Sequence, residues 1–234
     1  MRHEDTILAA IAGFVDTLSF VALFGLFTAH VTGNFVLIGA GIAGYGKGVV
    51  LKLIVFPAFV GGVVLSSLLV RSLPAAYARQ GARLLHLVQA VLMVGFCLAG
   101  VWATPVSRSD SLPVIVAGVV GAFAMGVQNA HPRLIQRAGV PNTVMTGNVT
   151  QAILDVVDML SASMAGSARD AARARFAKMM PAIVAFAIGA VAGALALRYA
   201  GFWALLAPAC ALAGLAFATG EYERAATPGT REAR

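Results

Sequence analysis

Six runs of about 20 apolar residues dominate this sequence, covering 6–27, 49–70, 84–103, 112–129, 179–199 and 202–219. A helix rises about 1.5 Å per residue, so each run can cross a hydrocarbon core of about 30 Å. Only helices and closed barrels satisfy every backbone polar group in lipid, and runs of this length select helices. Two further apolar pieces, 33–46 and 147–160, are too short to cross without tilt or local thinning. The expected fold class is all-α: a polytopic membrane helix bundle of six full spans plus two short half-helices.

Composition agrees with this expectation. Hydrophobic residues make up 59% of the chain and charged residues 12%, too little charge to coat a soluble domain. A disordered chain is excluded by the same numbers. The formal charge of +7 would suggest nucleic acid in a soluble protein. Here the basic residues sit between apolar runs, as in the loops of a membrane protein, and no nucleic-acid partner is expected. The run 6–27 is too long for a signal-peptide core and reads as a retained helix. Cys97 and Cys210 lie in apolar runs and read as small buried hydrophobes. No linker divides the chain, so a single transmembrane domain is expected. The basic stretch 161–178 suits a short surface helix, and 221–234 reads as a polar tail.

The chain also repeats itself. Gly13 and Asp16, then Gly25, then Thr32-Gly33-Asn34 in the first half correspond to Gly126 and Asn129, Gly139 and Thr146-Gly147-Asn148 in the second, at offsets of 113 and then 114. Lys52 with Pro57 pairs with Lys178 and Pro181. Repeat 1 covers about 6–108 and repeat 2 about 112–220. If the short segments cross, Lys and Arg divide 11 to 6 between the two sides. If they enter and return, the split is 13 to 4, with both termini on the basic side. The second partition follows the positive-inside rule better. It gives three spans per half, which makes the repeat inverted.

The twin Thr-Gly-Asn motifs are the most informative polar feature. Thr and Asn are capping residue types, and glycine permits a sharp turn. Each motif opens a short apolar segment, so each could start a half-helix whose free N–H groups point at a solute. The bland alternative is an ordinary turn between packed helices. Asp16 lies about ten residues inside the first run, where a carboxylate needs a partner, a proton or water. The substrate-binding candidates are therefore Asp16, His30, Thr32, Gly33, Asn34, Gln128, Asn129, Thr146, Gly147 and Asn148. Histidine as a residue type titrates near neutrality, so His30 and His131 are candidates for shuttling protons. With four histidines and no HxxH or HxxxH spacing, neither a metal nor a cofactor is expected. Asn148, Gln151, Asp155 and Asp158 form a polar stripe on the second short segment, with Asp158 read as emerging into water. Small residues at Gly62 and Ser66, Ala122 and Gly126, and Ala185, Gly189 and Gly193 read as helix-packing positions. No nucleophile elbow, P-loop or nucleotide fingerprint is present, so catalytic residues are not expected.

The motifs around Gly13–Asp16, Phe27–Asn34, Gly126–Ala130 and Thr146–Asn148 resemble the YoaK-like family of bacterial integral membrane proteins, a family of unknown function. The resemblance covers nearly the whole chain. It implies a multi-pass protein of the bacterial inner membrane with about six spans, and it assigns no activity. The leading functional expectation is a secondary transporter of a small polar or anionic solute, with the lipid bilayer as partner and a homodimer compatible with the small size. The alternatives are a non-transporting scaffold or accessory subunit, and a membrane-embedded enzyme that would need His30, His131 and Asp16 to converge.

Overall fold

A computed structural model describes residues 2–74, 78–135, 144–161 and 165–225. Gly139, part of the repeat comparison, and residues 226–234 of the tail lie outside these. The described chain folds into eight α-helices: α1 (Arg2–Ala22), α2 (Gly33–Ile42), α3 (Val49–Arg71), α4 (Ala78–Trp102), α5 (Leu112–Leu134), α6 (Met145–Leu160), α7 (Gly166–Ala200) and α8 (Leu206–Ala225). A short 3-10 turn, Gly201–Leu205, links the last two.

Five helical stretches are long and apolar enough to cross a membrane, and the last, Gly166–Ala218, is 53 residues long. As helix it would measure about 80 Å, more than two hydrocarbon thicknesses. It holds both α7 and α8, broken at Gly201, whose φ of 59 ends α7. The six expected spans therefore map onto these five stretches. Large apolar side chains such as Leu53, Leu68, Ile188, Val191 and Leu195 stand exposed on the perimeter, as a lipid-facing surface requires.

Residue contacts give the helix directions. Glu4 meets His131, and Gln128 bonds the Leu8 carbonyl, so α1 and α5 are antiparallel. Gln89 pairs with Gln128 and Phe96 lies on Gly121, so α4 also opposes α5. Gly118 touches Leu51 and Val55 while Gly126 touches Phe59, so α3 is parallel to α5. Gly189 meets Ala10 and Gly193 meets Phe14, so α7 is parallel to α1. α8 starts where Phe202 covers Gly100, near the C-terminus of α4, and runs back along α4. Each helix of the first half thus opposes its repeat mate: α1 with α5, α3 with α7, α4 with α8. The expected inverted repeat is present.

The halves are interlocked. α1 packs on α7 and α5 packs on α3, so each half's first helix lies against the other half's third. The contacts superpose residue for residue. A methyl group on Gly13 would overlap the Phe186 carbonyl, and one on Gly126 the Phe59 carbonyl. Gly189 is closed by Ala10, and Gly62 by Phe123. The glycines among the expected small-residue positions, Gly62, Gly126, Gly189 and Gly193, lie where the backbones touch. This packing corrects the alignment of the third helices: their register is 127, so Lys52 corresponds to Met179 and not to Lys178.

Two boundaries differ from expectation. α1 stops at Ala22 rather than Phe27, because Phe24 and Gly25 adopt positive φ and turn the chain back into the bundle. The apolar run continues past this turn because the returning segment is itself inside. The basic stretch 161–178 is no separate surface helix. Its described part from Gly166 onward is the first turns of α7, which project beyond the N-terminus of α1. Cys97 is buried as expected, but Cys210 is exposed on α8.

Candidate site at the re-entrant loop

α1 ends and α3 begins at the same end of the bundle. Lys52 near the start of α3 donates to the carbonyls of Phe24 and Lys47 there, at 2.7 Å each. A segment between two helix ends on one side cannot be a single crossing. Residues 23–32 enter the bundle, and α2 leads back out to Val49, which packs on Gly41. α5 ends, and α7 begins, at the opposite end, so α6 does not cross either.

Asp16 holds the entering loop. Its Oδ1 accepts the N–H groups of Thr28 and Ala29, both at 2.7 Å. Its Oδ2 accepts the N–H of His30 at 3.2 Å and faces His30 Nδ1 at 2.6 Å. Three successive backbone donors wrapped around a carboxylate make an anion nest. Asp16 is buried, while the His30 side chain is 30% exposed and lies edge-on to Phe186. Ser19 and Thr28 share a hydroxyl bond beside the carboxylate. Asn34 closes the loop from the other side: its Oδ1 accepts the Phe27 N–H at 3.0 Å and its Nδ2 donates to the Phe27 carbonyl at 2.8 Å.

The Thr-Gly-Asn motif therefore works differently from the expectation. Thr32 makes no side-chain cap. The first N–H groups of α2, on Gly33, Asn34 and Phe35, are already bonded to His30, Val31 and Thr32 carbonyls. The free-donor reading of this helix start is thus corrected. In the second half, Thr146 and Gly147 lie in the exposed first turn of α6 rather than before it, and Asn148 is buried. Met145 packs on Ala9 and Ala182. Ala9 is seven residues, about 10 Å, along α1 from Asp16. Both helix starts thus lie within the length of α1.

Asn129, the repeat mate of Asp16, directs its amide at the Ala29 carbonyl at 3.5 Å. Gln128 points elsewhere: it donates to the Leu8 carbonyl and accepts from Gln89, both at 2.7 Å. His131 lies with Glu4 and His86 at the start of α1. Glu4 and Asp16 are twelve residues, about 18 Å, apart on one helix, so His30, His131 and Asp16 do not assemble. On α6, Asp155 is fully buried and paired with Arg175 at 2.7 Å, while the partly exposed Asp158 lies 3.7 Å from the same guanidinium. Sequence reasoning passed over Glu4, His86 and Gln89, because their partners come from different helices and no local spacing signals them.

Residues 6–218 match the family described as protein of unknown function DUF1275. The chain is 27% identical over 162 residues to the UPF0700 transmembrane protein YoaK of Bacillus subtilis (strain 168), covering 66% of this chain and 68% of that protein. No solved structure matches. With its long apolar helices and this family match, the chain is a multi-pass membrane protein that belongs to the DUF1275, YoaK-like family.

Proposed function

We propose that this protein is a secondary transporter of a small polar solute, neutral or anionic. The single observation behind the reading is a broken symmetry. An inverted repeat relates the helix pair α4 and α5 to the pair α8 and α1. α4 packs along α5, whereas α8 only touches α1. Exchanging the conformations of the two halves would open the first pair and close the second, which is the alternating-access motion of inverted-repeat carriers. The solute would meet the half-exposed His30 ring and the loop backbone, not the Asp16 carboxylate, whose oxygens are occupied. The Asp16–His30 pair would couple protonation to the hold on the loop.

The helix directions put Arg71, Arg83, Arg133, Arg169, Arg173, Arg175 and Lys178 at one end, against Lys47, Lys52, Arg108 and Arg198 at the other. By the positive-inside rule the first end and both termini face the cytoplasm of a bacterial inner membrane. The chain acts as a carrier rather than an enzyme, alone or as a homodimer.

The test is made in proteoliposomes. Under an imposed pH gradient, a panel of formate, acetate, nitrate, urea and glycerol is followed by light scattering and an internal pH dye. His30→Gln should abolish proton-coupled flux while the purified variant stays monodisperse. Spin labels on the outer faces of α1 and α8 supply a measurement that needs no solute. Two distance populations support alternation. A single narrow one, with no flux across the panel, favours a scaffold in which the polar centre only fixes packing.

A further inference from the structure

At the basic end of the bundle, three helices bring together a donor set that the carrier reading does not use. Glu4 comes from the first turn of α1, His86 from α4 and His131 from α5. Glu4 Oε1 lies 3.1 Å from His86 Nε2 and 3.6 Å from His131 Nε2, and the three donor atoms all fall within 4.8 Å of one another. The imidazoles stack with centroids 4.5 Å apart. Their side chains are 1% and 6% exposed, and that of Glu4 is 12%.

We propose that Glu4, His86 and His131 bind one divalent transition-metal ion of the zinc class. Two neutral imidazoles and a carboxylate are the ligands that zinc, cobalt and nickel prefer, and three protein ligands leave a position open for water. Bonds of about 2.0–2.1 Å in a tetrahedron place ligand atoms roughly 3.3 Å apart. Both measured separations to the carboxylate oxygen bracket that value. The rings lie at 25° to each other, so they must turn about their Cβ–Cγ bonds to aim both lone pairs at a common point.

The scaffold around the trio is preorganised. One turn further into the bundle, Gln89 on α4 donates to Gln128 on α5, and Gln128 donates to the Leu8 carbonyl on α1, both at 2.7 Å. These residues are three or four positions from His86, His131 and Glu4, on the same three helices. The amide chain therefore fixes the register of the elements that carry the ligands, which is the service an outer shell gives a metal site. Sequence spacing within one helix is no guide to such a site. The proposal does not depend on transport.

The experiment uses the full chain, purified through a tag without histidine, stripped with chelator and returned to nanodiscs. Co²⁺ is titrated and its visible d–d absorption recorded. Zn²⁺ is titrated against a chromogenic chelator, with the thermal midpoint measured in parallel. One ion per chain is expected, with an intense d–d band typical of four- or five-coordinate cobalt and a midpoint raised by Zn²⁺. His86→Gln and His131→Gln should each weaken binding at least tenfold and remove the band. Glu4→Gln, at the end of a helix, keeps the test decisive if a histidine variant fails to fold. A weak octahedral-type spectrum, or a stoichiometry and midpoint shift unchanged in Glu4→Gln and the folded histidine variants, overturns the site.

Discussion

Replacing Asp16 by asparagine and by alanine separates the parts of its hold on the re-entrant loop. The native carboxylate accepts the Thr28, Ala29 and His30 N–H groups, pairs with His30 Nδ1, and has the Thr28 hydroxyl at 3.4 Å. Asparagine can keep its carbonyl oxygen on the first two. It then turns an amide N–H₂ toward the His30 N–H, and the charge is gone. A hydrogen bond to a charged group is worth about 1.5–3 kcal/mol, and a buried donor left without a partner costs about 1–3 kcal/mol. One lost charged bond plus weakening of the others gives about 2–3 kcal/mol for Asp16→Asn. Alanine strands the whole nest and should cost more, on the order of 4 kcal/mol. At roughly 2–4 °C per kcal/mol for a chain of this size, Asp16→Asn should lower the thermal midpoint by about 4–12 °C, and Asp16→Ala by more. The assay is intrinsic-fluorescence melting in nanodiscs, with the buried Val31→Cys in a Cys210→Ala background labelled by a water-soluble maleimide to report loop release. Equal midpoints for all three proteins, with unchanged labelling, would refute the idea that this carboxylate holds the loop.

Gly126→Ala sets a methyl group against the Phe59 carbonyl, which cannot rotate away, and should cost about 1–3 kcal/mol by melting. Gly214→Ala on α8 meets nothing within 4 Å and should be neutral or stabilising by roughly 0.5–1 kcal/mol. The Arg175–Asp155 pair should respond asymmetrically. Arg175→Ala leaves a fully buried carboxylate with Gln151 as its one remaining partner among the described residues and should cost about 2–3 kcal/mol, whereas Asp155→Ala frees a half-exposed guanidinium to water and should cost less. In the loop before α5, Arg108 holds the Asp110 carboxyl below its usual range. Its stabilisation is present above the ordinary carboxylate range and lost as pH falls through the lowered value. Both side chains are exposed, so Asp110→Asn should leave the melting curve unchanged at neutral pH, and a clear loss would contradict that.

Much of the fold was legible because lipid enforces simple rules. Apolar length marked α3, α4, α5, α7 and α8 to within a turn or so at most ends, and the Lys/Arg partition chose the inverted topology that the helix directions bear out. Gly62, Gly126, Gly189 and Gly193, which read as packing positions, are among those whose backbones touch, and Gly13 joins them. What escaped was anything that an apolar segment hides. Hydropathy does not register the reversal at Phe24 and Gly25, because the chain turns into the bundle rather than into water. The third-helix register was also misjudged. Lysine and proline offered the eye a match, whereas Gly62 and Gly189, which set the real register, stand among many other small residues.

The candidate site was legible in a different sense. Asp16, His30 and Asn34 were singled out as residues in a membrane segment that needed partners, and they do converge on one loop. Their roles could not be read, because a carboxylate that binds a solute and one that binds its own backbone look alike in sequence. The repeat makes the distinction useful. Its two halves keep Thr-Gly-Asn, yet the repeat mate of Asp16 is Asn129, and Thr32 precedes its helix whereas Thr146 lies inside its own. With an acid at this position in just one half, the energy of holding a loop differs between the two otherwise related conformations. Protonation of Asp16 would remove that difference. A proton-coupled carrier needs a group whose protonation shifts the balance between its two conformations, and a scaffold does not. If Asp16→Asn equalises the two spin-label populations of α1 and α8, the acid sets the bias. If the populations stay as they were while the loop loosens, the acid is only a clasp.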